Sequence, residues 1–365
     1  MSLSFDLAPG TPSTPPAEIA RLLYGDPGFG RLFSDHMAVA AWSDGRGWHD
    51  DRLQAHAPFQ FAPGEAVLHY AQEIFEGLKA YRRDDDSIWL FRPEANARRF
   101  NQSADRLALP RLPEEDFLRA VRQVVTVDAA WAPAAAEQTL YLRPFMFASE
   151  SFLGVRAAKE VVFAVIAGPA GSYFPRGPEP VDIWVTTTYS RSGAGGTGAA
   201  KCGGNYASSL LAERQAHDHD CQQVLFTDAA SHEWVEELGG MNLCLVTAAG
   251  QLVTPPLDGA ILAGVTRDSI LQLAPRHGLE PVERPVSLTE LWSGVKSGSI
   301  VEAFACGTAA VITAVRSFRQ QFEDGIDEVR LPQANGRQTQ ALRRRLIDIQ
   351  WGRSADDFGW TTRVV

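Results

Sequence analysis

The chain has 365 residues, of which 45% are hydrophobic and 21% charged, and its formal net charge is −10. These values are typical of a globular protein of about two domains and argue against a disordered or coiled-coil chain, while the negative charge disfavours a protein that tracks nucleic-acid phosphates. No apolar run approaches the ~20 residues of a membrane helix, and the four cysteines form no Cys-x-x-Cys pair, so we expect no membrane association, no disulfide framework and no metal site.

In chain order, the first part of the sequence predicts a tail, several strands and two helices. About 20 residues rich in Pro, Ser and Thr predict a flexible tail, and they lack the basic start and apolar stretch of a secretion signal, which favours a cytoplasmic protein. Alternating segments predict strands over 37–42, 66–70 and 78–82, with a hairpin over 78–91. Apolar residues at helical spacing predict helices over 94–107 and after Pro113. Strands over 139–148 and 161–167 follow.

Seven glycines and prolines between positions 168 and 180 predict a linker. We therefore predict an N-terminal domain over 1–169, an interdomain linker over 170–180 and a C-terminal domain over 181–365. The second domain is expected to begin with a strand over 181–189 and to contain helices over 206–216 and 266–277, the latter ending at Gly278. Strands and helices alternate without a regular βαβ rhythm, so the predicted fold class is α+β.

The segment from Ser192 to Ser209 contains six glycines and Lys201, one of only four lysines in the chain. It lacks the Gly-Lys-Ser/Thr of a nucleotide-binding P-loop and offers only a weak G-x-G-x-x-G match. Small neighbours allow a bulky ring to approach the amine, as a Schiff-base lysine requires. The alternative is a flexible surface loop.

The sequence Gly195-Gly-Thr-Gly-Ala-Ala-Lys201-Cys-Gly-Gly-Asn-Tyr206 resembles the lysine segment of the branched-chain amino acid aminotransferases, which are pyridoxal-phosphate enzymes of fold type IV. Other motifs of that family occur in its order over roughly residues 29–320: Leu68-His-Tyr70, Ile74-Phe-Glu-Gly-Leu-Lys79, Tyr141-Leu-Arg143-Pro, Glu237-Leu-Gly-Gly-Met-Asn242, Leu262-Ala-Gly-Val-Thr-Arg267 and Gly307-Thr-Ala309. The resemblance implies two α/β domains with pyridoxal 5′-phosphate between them. It also implies transfer of an amino group between L-leucine, L-isoleucine or L-valine and 2-oxoglutarate.

The resemblance assigns three residues to the cofactor ring. Lys201, in the C-terminal domain, is the Schiff-base lysine and proton shuttle, whereas Lys79 is expected to be a solvated strand residue. Glu237 faces the pyridine nitrogen and keeps it protonated, which makes the ring a better electron sink. Tyr206 binds the O3′ oxygen. From the residues alone, Glu237 could equally lie on a solvated face and Tyr206 could be an ordinary helix aromatic.

The resemblance assigns four further residues to the cofactor phosphate: Arg99, Val265, Thr266 and Thr308. A helix N-terminus at Val265 and Thr266 suits an anion because its backbone N–H groups lack partners within the helix. Arg99 offers a charged fork of donors. A plain N-cap role for Thr266 and a tight turn at Thr308 are the alternatives.

The resemblance also implies a substrate pocket lined by Phe29, Tyr70, Phe75, Tyr141, Arg143, Tyr173 and Ala309. Tyr141 and Arg143 are two apart in a predicted strand, so both point to one side. In the family this arginine meets the distal carboxylate of glutamate, and Tyr70 comes from the partner subunit, which implies a homodimer. A solvated sheet face and core aromatics are the alternatives.

Two other functions stay open from the sequence. One is another fold type IV enzyme, either a D-amino acid aminotransferase or a lyase. The other is a non-catalytic protein that binds a phosphate or nucleotide through the glycine-rich loop. The Tyr141-Leu-Arg143 motif and the chain length favour the branched-chain aminotransferase.

Overall fold

The computed structural model of the protein describes residues 2–171 and 179–365. These residues form two compact units, and each unit contains one large β-sheet. The first unit consists of the described residues up to 171 together with Ala200–Gly203 and Ile349–Val365, and the second consists of residues 179–199 and Gly204–Asp348. Within the described part of the chain, every helix is too short or too polar to cross a bilayer.

The first unit has an eight-stranded sheet whose strand pairs are all antiparallel. Its helices and strands are α1 (Pro16–Leu22), β1 (His36–Ser43), β2 (Gly47–Ala55), α2 (Ala66–Tyr70), β3 (Glu73–Phe75), β4 (Leu78–Arg82), β5 (Ile88–Phe91), α3 (Pro93–Arg106), α4 (Glu114–Val127), β6 (Thr139–Ala148), β7 (Glu160–Ala170) and, near the C-terminus, β17 (Thr361–Arg363). The strand order is β17–β5–β4–β6–β7–β1–β2, and β3 pairs with β6.

Helices α3 and α4 bury apolar faces in the core of the first unit, as their spacing predicts. Phe100 of α3, Phe117 of α4 and Phe163 of β7 are each almost fully buried. Their ring centroids lie 5.3–6.2 Å apart, in tilted or edge-to-face arrangements. The predicted hairpin over 78–91 is also confirmed, because β4 and β5 pair directly.

The flexible tail predicted at the N-terminus is wrong. Leu3 and Phe5 are buried in the core of the first unit, where Phe5 packs against Phe163 at 6.4 Å. Their backbone N–H groups donate to the carboxylates of Asp116 and Asp51, at 3.1 and 2.8 Å. Two apolar side chains therefore anchor a segment whose Pro and Ser content suggests disorder.

The strand predicted over 66–70 is also wrong, because these residues form the short helix α2. Ala71 ends the helix in the left-handed conformation, with φ of 48°. A single turn of helix is too short to show an apolar period of 3.6, so alternation in five residues does not separate it from a strand.

The second unit has a nine-stranded mixed sheet, in which β8–β9, β8–β15 and β12–β13 are parallel. Its helices and strands are β8 (Val181–Val185), α5 (Gly203–Asp218), β9 (Gln223–Thr227), β10 (Val235–Leu238), β11 (Asn242–Thr247), β12 (Gln251–Thr254), α6 (Val265–Leu273), β13 (Glu280–Glu283), α7 (Leu288–Ser297), β14 (Ile300–Gly307), β15 (Val311–Phe322), β16 (Gly325–Arg330) and α8 (Arg337–Gln350). The order is β10–β9–β8–β15–β14–β11–β12–β13, with β16 on β15.

The two units do not follow the predicted domain boundaries in every place. The prediction puts all of 181–365 in one domain, whereas Ala200–Gly203 and Ile349–Val365 belong to the first unit. The C-terminal segment belongs there because β17 pairs with β5. Most of the predicted linker lies outside the described residues.

Candidate active site

The backbone at Lys201 is fixed by hydrogen bonds within the first unit. The Lys201 carbonyl accepts from the N–H of Phe75 in β3, and its N–H donates to the Ser103 hydroxyl on α3, both at 2.9 Å. The N–H of Gly203 donates to the carboxylate of Glu73. The lysine side chain therefore starts from a fixed main-chain position.

The amine of Lys201 lies 4.6 Å from the ring centroid of Phe75. The residue as a whole is half-buried. Desolvation of its amine and the positive charge of Arg99 lower its pKa from 10.5 to about 8, against the opposing effect of Glu76. A larger fraction of Lys201 is therefore neutral near pH 8 than of an exposed lysine, and only the neutral amine is a nucleophile or a base.

Arg99 and Glu76 form a buried two-pronged ion pair beside Lys201. The Nε and Nη2 groups of Arg99 donate to the two carboxylate oxygens of Glu76 at 2.7 and 2.8 Å. Asn96 also donates to this carboxylate, at 2.7 Å. Burial acts to raise the pKa of Glu76, but Arg99, followed by Lys201, outweighs burial and lowers it. Glu76 is thus an anion that holds the Arg99 guanidinium in place.

Tyr141 and Arg143 of β6 lie on one side of the sheet, as predicted, while Leu140 and Leu142 are fully buried on the other. Arg143 donates to the Tyr141 hydroxyl at 3.0 Å, and its guanidinium carbon lies 4.7 Å from the Phe75 ring centroid.

The ring of Phe29 meets the Tyr141 ring edge-on at 4.9 Å. A Cβ at Gly77 would clash with the Tyr141 hydroxyl, so any larger residue there would require the Tyr141 side chain to move. Phe29, Phe75, Arg99, Tyr141, Arg143 and Lys201 are therefore neighbours in one cluster.

Lys79 is buried, with 6% of its surface exposed, so its prediction as a solvated strand residue is wrong. It is the direct cross-strand partner of Tyr141. Directly paired residues project from the same face of a sheet. Lys79 therefore adds a second amine to the face that carries Tyr141.

Tyr70 lies apart from this cluster in its described contacts. Its hydroxyl donates to the Leu153 carbonyl at 2.5 Å, and its side chain is 38% exposed. Leu68, Leu153 and Val155 are also exposed. We call these four residues the α2 patch. Tyr173 lies outside the described residues.

In the second unit, Glu237 is held by three donors. Its Oε1 atom lies 2.7 Å from Arg191 and accepts from the N–H of Leu262 at 2.9 Å, while Oε2 accepts from Asn242 at 3.0 Å. Glu237 is 3% exposed. The alternative of a solvated glutamate is therefore wrong.

The neighbouring carboxyl group of Glu236 has a different character. Burial, together with the negative charges of Asp258 and Glu237, raises its pKa to about 7, whereas Arg191 acts in the opposite direction. Of these two adjacent glutamates, Glu237 has the direct ion pair with an arginine.

Val265 and Thr266 occupy the first turn of α6, and Gly264 is the N-cap, with no side-chain capping bond. Thr266 is therefore not the cap, and that alternative is wrong. A Cβ at Gly264 would clash with the Asn242 amide oxygen, the residue that donates to Glu237. The start of α6 thus packs against the support of Glu237.

Thr308 and Ala309 lie in the tight turn between β14 and β15, where Gly307 pairs with Val311. The tight-turn alternative for Thr308 is thus correct as a description of the backbone. Tyr206 lies in the first turn of α5, and its ring faces Gly240, where an added Cβ would be 3.8 Å from the ring.

Sequence reasoning assigns no role to Glu76 or Arg191. Glu76 lies within one of the family motifs, and a charged residue directly after the apolar Ile74 and Phe75 is a usable signal. Arg191 precedes the glycine-rich segment and has no local pattern that indicates a partner 46 positions away.

Comparison with known proteins identifies the family of the chain. The sequence model for class IV amino-transferases matches residues 73–318. A probable branched-chain-amino-acid aminotransferase of Streptomyces coelicolor is 49% identical over 361 residues, which cover 98% of each chain.

Solved structures show the same fold. The branched-chain aminotransferase of Thermoproteus uzoniensis, crystallised with norvaline, has a TM-score of 0.73 and 26% identity, and the match covers 90% of this chain and 100% of that one. The branched-chain amino acid aminotransferase of Escherichia coli has a TM-score of 0.72 and 26% identity over 90% and 99% of the two chains. The fold is therefore fold type IV, and the chain belongs to the class IV aminotransferase family.

Proposed function

We propose that this protein is a branched-chain amino acid aminotransferase that uses pyridoxal 5′-phosphate to move an amino group between L-leucine, L-isoleucine or L-valine and 2-oxoglutarate. The observation that carries the proposal is the cluster of a lysine of lowered pKa, Lys201, with Arg143 and Tyr141 around Phe75. The name of the Streptomyces coelicolor relative supports the substrate class.

The residues present suit this cofactor in chemical type. Pyridoxal phosphate needs a reactive amine, donors for its phosphate and an acceptor for its ring nitrogen. Lys201 has a lowered pKa, α6 begins without a side-chain cap, and Glu237 is a buried carboxylate paired with arginine. When bound, the cofactor supplies an aldehyde that receives the amino group and a ring that accepts electrons from the substrate α-carbon.

Lys201 is the catalytic residue in this proposal. Its Nζ atom would hold the cofactor aldehyde, and the neutral amine would act as the base that takes a proton from the substrate α-carbon. The lowered pKa suits both tasks, because a general base works best when its pKa is near the working pH. The fixed backbone of Lys201 limits where Nζ can reach.

Four residues would hold the phosphate when the cofactor is bound. Val265 and Thr266 offer backbone N–H groups and a hydroxyl at the start of α6, and Thr308 offers a hydroxyl from a turn. Arg99 supplies the positive charge, with its orientation set by the ion pair to Glu76. These contacts anchor and orient the cofactor.

Two residues act on the ring. The Glu237 carboxylate would hold the protonated ring nitrogen, and the Tyr206 phenol would hold the O3′ oxygen. Three donors hold the Glu237 carboxylate in one orientation. A buried anion at the ring nitrogen favours the protonated, electron-accepting ring.

The substrate side chain lies among Phe29, Phe75, Tyr141 and Ala309, which are apolar or aromatic enough to accept leucine. Arg143 pairs with the distal carboxylate of glutamate, since an unpaired buried carboxylate is costly.

The protein is a homodimer in this proposal, and Tyr70 serves the pocket of the other subunit. The α2 patch supports this, because Val155 is 89% exposed, Leu153 69% and Leu68 56%. Large apolar side chains exposed on α2 and on the segment that Tyr70 contacts are typical of an interface. A cytoplasmic location is supported by the four cysteines, all of which are free thiols.

The test is the visible absorption spectrum of the protein incubated with pyridoxal phosphate. We expect a cofactor band that shifts on addition of L-leucine and returns on addition of 2-oxoglutarate. D-Leucine should leave the band unchanged, which separates this function from that of a D-amino acid aminotransferase. A protein that stays colourless would contradict the proposal and favour the non-catalytic alternative.

A further inference from the structure

Arg191 is a buried arginine in the second unit to which the proposed function assigns no role. It follows β8, and only 5% of its surface is exposed. Its carbonyl accepts from the Ser208 hydroxyl of α5 at 2.8 Å, which fixes its backbone. The long side chain thus extends from an anchored start into the interior of the second unit.

The guanidinium of Arg191 makes two kinds of contact. Nη2 lies 2.7 Å from Oε1 of Glu237. Nη1 and Nη2 also donate to the Gly198 carbonyl at 3.3 and 3.1 Å. Gly198 precedes Lys201 by three positions, and a Cβ at Gly198 would clash with the Ala260 backbone. One guanidinium therefore joins Glu237 to a tightly packed part of the glycine-rich loop.

Negative charge is concentrated around this ion pair. Glu236 precedes Glu237 on β10, and Asp258 acts on Glu236 with the same sign. The Cys306 thiol of β14 also interacts with Glu237, but its raised pKa keeps it protonated, so it adds no negative charge there. A buried carboxylate beside other carboxylates takes up a proton unless a cation compensates it. Arg191 is placed to supply that compensation to Glu237.

We propose that Arg191 is the positioning residue of Glu237: it keeps the Glu237 carboxylate ionised and oriented, and ties it to the loop that precedes Lys201. This inference rests on the proposed function, in which Glu237 accepts a hydrogen bond from the cofactor's ring nitrogen. Arg191 itself is not assigned a contact with cofactor or substrate. Lysine would keep the charge at this position but not the fork that reaches Glu237 and Gly198 together.

Loss of the positive charge of Arg191 and loss of its two-pronged geometry alone should affect cofactor binding differently. In Arg191→Gln, the pKa of Glu237 rises, so the carboxylate is protonated at low pH and no longer supports a protonated ring nitrogen. The affinity for the cofactor then falls most at low pH and recovers as pH rises. In Arg191→Lys the charge stays, so the pH dependence should remain close to that of the wild type while the affinity falls modestly.

The experiment is a titration of the cofactor-free protein with pyridoxal phosphate at about pH 6 and about pH 9, read by absorbance and protein fluorescence. For Arg191→Gln we expect the dissociation constant to exceed that of the wild type at the same pH by about tenfold or more at the lower pH, and by clearly less at the higher pH. Adding Arg191→Gln to Glu237→Gln should change the dissociation constant little, because the carboxylate that Arg191 supports is already absent.

The matched control is Arg316→Gln, which removes an ion pair with Asp182 elsewhere in the second unit. It should alter the dissociation constant equally at both pH values, or not at all. Because Arg191→Gln leaves a buried carboxylate uncompensated, its folding is checked by thermal unfolding, and the double variant without either charge provides a second test.

Three results would overturn the inference: an unchanged dissociation constant in Arg191→Gln, a loss of equal size at both pH values, or a full additional loss in the Glu237→Gln background. Each of these leaves the proposed function intact, because wild-type protein would still bind the cofactor and transaminate leucine. Failure of the wild-type protein to bind pyridoxal phosphate would instead contradict the proposed function itself.

Discussion

Arg99 binds Glu76 through two parallel hydrogen bonds of 2.7 and 2.8 Å, and both side chains are buried. The amine of Lys201 is near enough to be affected by both: Arg99 lowers its pKa and Glu76 raises it. These two effects oppose each other, and desolvation of the amine is the largest cause of the lowered pKa. The ion pair therefore places the Arg99 cation near Lys201, while Glu76 keeps the net charge of the pair small.

Replacing Glu76 with glutamine tests this balance. Glu76→Gln leaves Arg99 as a buried charge without its anion, so we expect the free energy of unfolding to fall by about 3–5 kcal/mol and the pKa of Lys201 to fall further. Denaturant unfolding measures the first effect. The control is Asp105→Asn, which breaks an exposed ion pair with Arg111 and should cost less than about 1 kcal/mol. Equal losses in the two variants would contradict the account.

The lowered pKa of Lys201 predicts how stability depends on pH. The folded pKa of about 8 lies below the ordinary 10.5, so below pH 8 the folded protein carries the cost of a desolvated charge. Lys201→Met should therefore stabilise the cofactor-free protein at neutral pH by about 1–3 kcal/mol.

The stability gained by Lys201→Met depends on pH. Between the folded and the unfolded pKa values the unfolded chain binds more protons, so wild-type stability rises with pH and the advantage of Lys201→Met shrinks. The exposed Lys159 is the control, and Lys159→Met should show neither effect. Unfolding curves over a pH series measure both variants, and a pH-independent difference would contradict the prediction.

Arg143 is expected to matter more for glutamate and 2-oxoglutarate than for leucine. Arg143→Ala should lower kcat/KM for glutamate and 2-oxoglutarate by ~100-fold or more, because a carboxylate partner is lost. The half-reaction with leucine should fall far less. Tyr141→Phe, which removes only the hydroxyl bonded to Arg143, should affect glutamate less than Arg143→Ala does. Single-turnover spectra measure each half-reaction, and an equal loss for both substrates would show that Arg143 serves the α-carboxylate or the fold.

Peroxide should have little effect on activity. A hydrogen bond to Cys244 and burial raise the pKa of Cys306 well above its ordinary value. The thiol therefore stays protonated near neutral pH, and a protonated thiol reacts slowly with peroxide. Activity before and after mild peroxide tests this. Inactivation that a thiol reverses, and that persists when Cys202 and Cys306 are both serine, would contradict it.

The helices and most strands can be predicted because their patterns are local. The apolar spacing of Phe100 and Ala104 already defines the buried face of α3. The prediction for the N-terminal segment is wrong because Phe5 is buried through contacts with distant residues such as Phe163. The composition of the segment carries no trace of those contacts.

The residues of the candidate site can likewise be predicted only in part. The resemblance identifies Lys201, Arg143 and Glu237 from motifs. It does not identify the ion pairs Glu76–Arg99 and Arg191–Glu237, whose members lie 23 and 46 positions apart. Nor can composition show that Lys79 is buried, since that depends on its pairing with Tyr141 across the sheet.

Covalent trapping shows which lysine holds the cofactor aldehyde, and we expect it to be Lys201. The protein is incubated with pyridoxal phosphate, reduced with borohydride, digested and analysed by mass spectrometry. The chain has four lysines, so each can be read separately. We predict stoichiometric labelling of Lys201, with labelling lost in Lys201→Ala and unchanged in Lys159→Ala. Stoichiometric labelling of Lys79 instead, or persistent labelling and transamination in Lys201→Ala, would contradict the account.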